Sequence, residues 1–78
     1  MYKVYAIRSL LDGRIYVGFT ANLDKRLKKN NAGKTKSTKG YRPWKLIFFQ
    51  EIETRQLARE REVYLKSGVG KEFLKTLI

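Results

Sequence analysis

Hydrophobic and polar positions change period along this chain, and each change marks an element. Residues 2–9 and 14–20 are rich in Val, Ile, Tyr and Phe and read as strands. A turn holding Asp12-Gly13 separates them, so the two form a hairpin. With Ser9 opposite Arg14 around a four-residue loop, Ile7 faces Tyr16 and Tyr5 faces Gly18. Tyr5, Ile7, Tyr16 and Gly18 then share one face of the hairpin, with the two tyrosines as diagonal neighbours. A slip of one residue would separate them.

The period then lengthens. Asn22 is a suitable N-cap and Asp24 falls in the first turn, where the helix dipole favours an acid. The helix runs to about Asn31, with Leu23 and Leu27 as its buried stripe and Arg26 and Asn30 as an adjoining row. Asn31-Ala32-Gly33 ends it. Residues 32–43 form a polar loop in which Lys34, Lys36, Lys39 and Arg42 stand among Gly, Ser and Thr. Its composition predicts a solvated, partly mobile loop that can contact phosphates. Trp44 to Ile52 is the most apolar stretch and predicts a strand buried on both faces. Thr54 can cap a helix over about 55–67, after which Gly68 and Gly70 are expected to break the chain. A short last helix places Phe73, Leu74, Leu77 and Ile78 on one face. No repeat or linker interrupts this order. The pattern predicts one domain over residues 1–78, an α+β fold of order β-β-α-β-α-α whose antiparallel sheet is covered by helices.

Composition narrows the chemistry. The 78 residues include no Cys and no His, which excludes a disulfide framework and a Cys/His zinc site. A chain this short lies near the limit of independent stability, so its ten aromatic residues must carry much of the packing. Eighteen Lys and Arg against seven Asp and Glu give a net charge of +11. That excess favours a polyanionic partner, nucleic acid rather than a membrane, because no long basic amphipathic segment stands apart from the fold. The N-terminal residues lack the apolar core of a signal peptide, and no apolar run approaches the ~20 residues needed to span a bilayer. A cytoplasmic location is the expectation.

Nucleophilic triads are impossible without His or Cys, and a two-metal site needs more converging carboxylates than are free. Asp12 is spent on a turn and Asp24 on a helix start. One metal held by one carboxylate, with water and substrate phosphate completing the shell, remains open for Mg²⁺. Glu62 is the acid of most interest. Ala58, Arg61, Glu62 and Leu65 follow helical i, i+3, i+4, i+7 spacing, so Glu62 lies along or beside a buried stripe while Glu60 points elsewhere. Taken singly, each candidate has an ordinary structural reading: Glu62 as an ion-paired acid, Arg26 as a solvated helix residue, Tyr5 and Tyr16 as packed strand tyrosines. Gly18 is more pointed, because a glycine inside a strand weakens it unless something must come close to the backbone.

Taken together, the ordered set Lys3-Val4-Tyr5, Tyr16-Val17-Gly18, Thr20, Leu23 and Arg26, followed by the run from Ala58 to Lys66 around Glu62, resembles the signature of the GIY-YIG endonuclease family. The similarity extends through Thr38, Trp44 and the last helix. It is to the small stand-alone bacterial members, which are similar to the N-terminal nuclease domain of the bacterial excinuclease. The resemblance implies a three-stranded sheet and a single-metal phosphodiesterase acting on DNA, possible substrates being branched, damaged or nicked structures met in repair or recombination. It implies Tyr16, or a water that it orients, as general base and Tyr5 as the residue that positions the nucleophile or hydrogen-bonds Tyr16. Arg26 would steady charge on the phosphate, Glu62 would hold Mg²⁺ or Mn²⁺, and Gly18 would let substrate approach the sheet. Lys25, Lys28 and Lys29, with Lys34, Lys36, Lys39 and Arg42 of the loop, are the expected phosphate contacts. Two positions depart from the pattern. Lys3-Val4 replaces the usual Gly-Ile, and Asn30 stands where this branch carries His. Asn cannot titrate, so any share of that position in proton transfer is lost. The alternative is therefore a non-catalytic nucleic-acid-binding module, and a third reading is an RNA-associated basic protein.

Overall fold

A computed structural model describes all residues from Met1 to Ile78. The elements are β1 (Tyr2–Ser9), β2 (Ile15–Thr20), α1 (Leu23–Asn31), a 3₁₀ turn (Lys39–Tyr41), β3 (Trp44–Ile52), α2 (Arg55–Lys66) and α3 (Gly68–Lys75). The strands form one antiparallel sheet in the order β2-β1-β3. This is the predicted α+β order, and the sheet has the expected three strands.

The hairpin has the predicted register, with Tyr5 opposite Gly18 and Ile7 opposite Tyr16. Local chemistry fixes it. Ser9 N–H donates to Arg14 O (2.8 Å) and Gly13 N–H to Ser9 O (2.9 Å), while Gly13 takes the positive φ (81°) that closes the turn. Asp12 then accepts from both the Arg14 N–H and its guanidinium.

Period-2 alternation along β1 splits the molecule into two cores. Val4 and Ala6, with Val17 of β2, pack against Ala58, Leu65 and Leu74 of α2 and α3. Tyr5 and Ile7 point the other way and pack with Leu23, Leu27, Trp44 and Tyr16, under α1. The fully buried strand is thus β1, whose residues Val4 to Ile7 have no exposed surface. β3 was expected to hold that position. It lies instead at the sheet edge, with Phe49 52 % exposed and a bulge at Ile47 that shifts its pairing between Ala6 and Ile7. An apolar run does not reveal strand order, and a three-stranded sheet has only one interior strand.

Two loop expectations also change. Gly68 and Gly70 do not break the chain but open α3, for which Ser67 is the N-cap, accepting from Gly70 N–H. The loop after α1 is tethered rather than loose. Gly33 ends α1 with a positive φ (78°), and the Lys34 N–H to Lys29 O bond closes the last turn. Further on, Thr38 is completely buried. No helix is long and apolar enough to cross a membrane.

Candidate active site

The site begins at the close approach of β1 to β2. Tyr5 is fully buried, and its ring lies across Gly18. A Cβ on Gly18 would stand 2.8 Å from Tyr5 Oη and 3.0 Å from Cζ. Gly18 was expected to admit substrate to the sheet. The space above it is filled by the Tyr5 phenol, which explains why a strand interior gives up a side chain there. Gly18→Ala should therefore cost about 1–3 kcal/mol by overpacking. The loss should be smaller in a Tyr5→Phe background, where the nearest clashing atom is gone. Urea unfolding of the four proteins measures that coupling, and equal losses in both backgrounds would refute the contact.

Burial raises the Tyr5 phenol above its ordinary pKa, the Arg26 charge offsets part of the rise, and Tyr16 adds to it. Asn30 and Arg26 are the other polar neighbours of Tyr5. Neither closes a hydrogen bond, since Tyr5 Oη and Asn30 Nδ2 are both buried without a partner. Such orphaned groups are rare in folded proteins and mark places where another polar group is accommodated. Tyr16 is half-buried beside them, its ring edge-on to Trp44 at 6.3 Å.

A scaffold holds this face in shape. Thr38 Oγ donates to Asn30 Oδ1 (3.1 Å), and Trp44 Nε1 donates to Thr38 O (2.9 Å). Asn31 binds both the N–H and the carbonyl of Trp44. Asn30 is thereby a buried structural link as well as a neighbour of Tyr5. The scaffold roles of Asn31 and Thr38 were not foreseen from composition. Polar residues in a basic stretch read as solvated, and only the folded chain brings them under Trp44.

Tyr5, Tyr16, Gly18, Arg26 and Asn30 therefore come together on the α1 side of the sheet. Glu62 belongs to α2, which packs on the other side. Its position beside the buried stripe agrees with the helical spacing, for its side chain is only 12 % exposed while Ala58 and Leu65 are fully buried. Each of its oxygens faces a cation, Arg59 Nε at 3.7 Å and Lys66 Nζ at 3.4 Å. No group of three or more acidic or metal-binding side chains exists in the chain. A lone, nearly desolvated carboxylate with two long and displaceable ion pairs fits a hard cation that takes its remaining ligands from water and phosphate.

Cations surround the α1 face. Arg26 shares a shallow depression with Lys25, Lys29, Thr20 and Asn22. Lys25, Lys28 and Lys29 also line a second depression with Lys34. Lys36, Lys39 and Arg42 are exposed on the tethered loop, where Arg42 Nε donates to Lys39 O. One cation was missed. Arg8 continues the inward row of Val4 and Ala6, and an arginine at such a position was a signal already present in the alternation of β1.

Comparison with known proteins places this geometry. A UPF0213 protein of Clostridium perfringens is 43 % identical over 67 residues, covering 85 % of this chain and 71 % of that one. The structure-specific endonuclease subunit SLX1 of Homo sapiens is 35 % identical over 51 residues, covering 60 % of this chain but 18 % of the human protein. The solution NMR structure of a UPF0213 protein from Bacillus halodurans superposes with a TM-score of 0.58 at 33 % identity, covering 99 % of this chain and 85 % of that one. The model of the GIY-YIG catalytic domain matches residues 1–75. With the β-β-α-β-α-α order and the paired tyrosines in place, the chain belongs to the GIY-YIG catalytic domain family.

Proposed function

We propose that this protein is a metal-dependent endonuclease that hydrolyses phosphodiester bonds in DNA, with structured or damaged DNA met in repair or recombination as its substrate class. The observation that carries the reading is the protonated Tyr5 laid across Gly18 beside Tyr16 and Arg26, in a chain with no His or Cys. Membership of a nuclease family and similarity to a protein named as a structure-specific endonuclease support it.

The roles are those that the family resemblance implies, set beside the environment of each residue. Tyr16 is the less buried phenol and is assigned as general base, or as the group that orients the attacking water. Tyr5 donates a hydrogen bond that positions the nucleophile. Arg26 opposes charge that grows on the phosphate. Glu62 would hold a single Mg²⁺ or Mn²⁺ with water and substrate phosphate, and the ion would neutralise charge at the leaving 3′ oxygen. The products would carry a 5′-phosphate and a 3′-hydroxyl. Because Glu62 and the tyrosines lie on opposite sides of the sheet, the substrate phosphate would sit at the open edge of β2, an edge strand that both layers flank. The cytoplasm is the proposed compartment.

One feature favours a second reading, a nucleic-acid-binding module without activity. Asn30 cannot titrate, and it is locked to Thr38. Incubation with single-stranded, duplex, flap and junction DNA in Mg²⁺ or Mn²⁺ separates the two. Cleavage of any substrate supports the enzyme, and intact DNA throughout with binding retained supports the module. RNA versions of the same probes decide between the nucleic acids.

Under either reading, binding is electrostatic. Lys25, Lys28 and Lys29 and the loop cations should each neutralise phosphate, so the log–log dependence of duplex affinity on salt should steepen by roughly 0.9 per phosphate contacted. A titration in chelator checks it, and affinity indifferent to salt would point to another partner.

A further inference from the structure

The Arg8 guanidinium makes no hydrogen bond and no ion pair, and its Nε is buried. A half-buried guanidinium with an unpaired buried Nε and no counter-charge is open to an incoming anion. Arg8 lines a cleft of about 700 Å³ between the β1–β2 hairpin and the packed ends of α2 and α3. Lys66, Lys71 and Lys75 line the same cleft, whereas no acidic side chain does. Ile15 and Ile78 are the apolar side chains of its lining with exposed surface. Arg14 also borders it, but is engaged by Asp12 and stacked on Tyr41 at 3.5 Å. Lys66 and Lys75 pair loosely with Glu62 and Glu72, at 3.4 and 3.5 Å. Arg8 and Lys71 are thus the cations that an incoming anion meets with no carboxylate to displace.

We propose that this cleft binds one unpaired nucleotide of a nucleic-acid strand, its phosphate on Arg8 and Lys71 and its base against Ile15 and Ile78. A cationic rim beside apolar side chains matches the two halves of a nucleotide, and the volume lies within the range of small-ligand pockets. A paired base cannot turn its face to these side chains without leaving the duplex. This inference rests on the nuclease reading and names a feature of its substrate, an unpaired nucleotide held on the sheet face opposite the Tyr16 phenol.

Fluorescence anisotropy in chelator tests it, using a blunt DNA duplex and the same duplex with a single-stranded tail. Wild-type protein should prefer the tailed probe by about tenfold. Lys71→Glu, on an exposed position of α3, should abolish that preference and change blunt-duplex affinity by no more than about twofold. Arg8→Gln should do the same. Lys28→Glu on α1 should weaken both probes together. A wild type that binds both probes equally would overturn the inference, as would equal losses for both probes in Lys71→Glu. So would Lys71-dependent binding to phosphatidylglycerol vesicles in place of the tail. Cleavage is absent in chelator, so the two proposals fail separately. A tail preference without cleavage in Mg²⁺ removes the nuclease reading alone, while cleavage without a tail preference removes the nucleotide cleft alone.

Discussion

Tyr16→Phe and Glu62→Ala are each expected to abolish DNA cleavage, while Glu60→Ala is expected to leave it nearly unchanged. In a chain with no His and no Cys, Tyr16 is the proposed base, and burial raises the Tyr5 phenol above its ordinary pKa. Tyr16 is the half-buried partner, and Phe keeps its edge-on packing against Trp44 while deleting the oxygen. A positioned acid or base contributes about 10²–10⁴-fold in rate, which sets the scale of the loss. Glu62→Ala removes the carboxylate assigned to the metal. It also frees Lys66 and Arg59 of their acidic partner, so DNA binding should persist or tighten as turnover disappears. Glu60 lies two residues earlier, exposed and without an ion pair, and serves as the control on the same helix. Asn30→His should preserve or raise activity if that position aids the chemistry, provided the ring keeps the bond from Thr38. The measurement is cleavage rate at saturating Mg²⁺ beside affinity in chelator. Equal rates for wild type and Glu62→Ala would remove Glu62 from the mechanism.

Gly70→Ala should be the most damaging small substitution in the scaffold. Gly70 is buried where α3 meets α2, and a Cβ there would run into Tyr64 O and Leu65 Cα. Those are backbone atoms of a helix packed on the sheet, so they cannot swing aside as a side chain can. Overpacking of this kind costs about 3 kcal/mol, the upper part of the usual range. For a small domain that is a large share of the total, and it should lower the melting temperature by roughly 12–24 °C. If α3 instead lifts away, it uncovers Leu74, and the loss is of similar size. Gly68→Ala gives the contrast. Nothing lies within 4 Å of its added methyl. It should be neutral or stabilise by up to about 1 kcal/mol, because Ala is the better helix residue. Thermal and urea unfolding of the two variants would show the difference, and indistinguishable midpoints would contradict the tight α2–α3 contact.

Local interactions were legible in the sequence. The hairpin register followed from turn chemistry and alternation, because Ser9, Asp12, Gly13 and Arg14 satisfy one another within a few residues. The two longer helices start at Asn22 and Thr54, as their capping side chains dictate. Tyr5, Tyr16 and Gly18 were set on one face by the same register, and Arg26 and Asn30 by helical spacing. Glu62 beside a buried stripe came from the same periodicity.

Only the tertiary structure decided which strand is central, which side of the sheet each helix covers and what occupies the space above Gly18. Those facts depend on contacts between residues far apart in the chain. β1 became the interior strand because β3 pairs with its free edge, a choice that the apolar run in β3 does not encode. Tyr5, placed opposite Gly18 by the hairpin, is sealed there only when α1 closes over it, and that burial raises its pKa. Thr38 and Asn31 became scaffold only when the loop folded under Trp44. Arg8 and Lys71 lie at opposite ends of the chain, yet they share a cleft because α2 and α3 return to the sheet face opposite α1. The composition of this protein excludes His and Cys chemistry. The packing of two helical layers on one thin sheet puts Tyr5, Tyr16 and Arg26 on one side and Glu62 on the other.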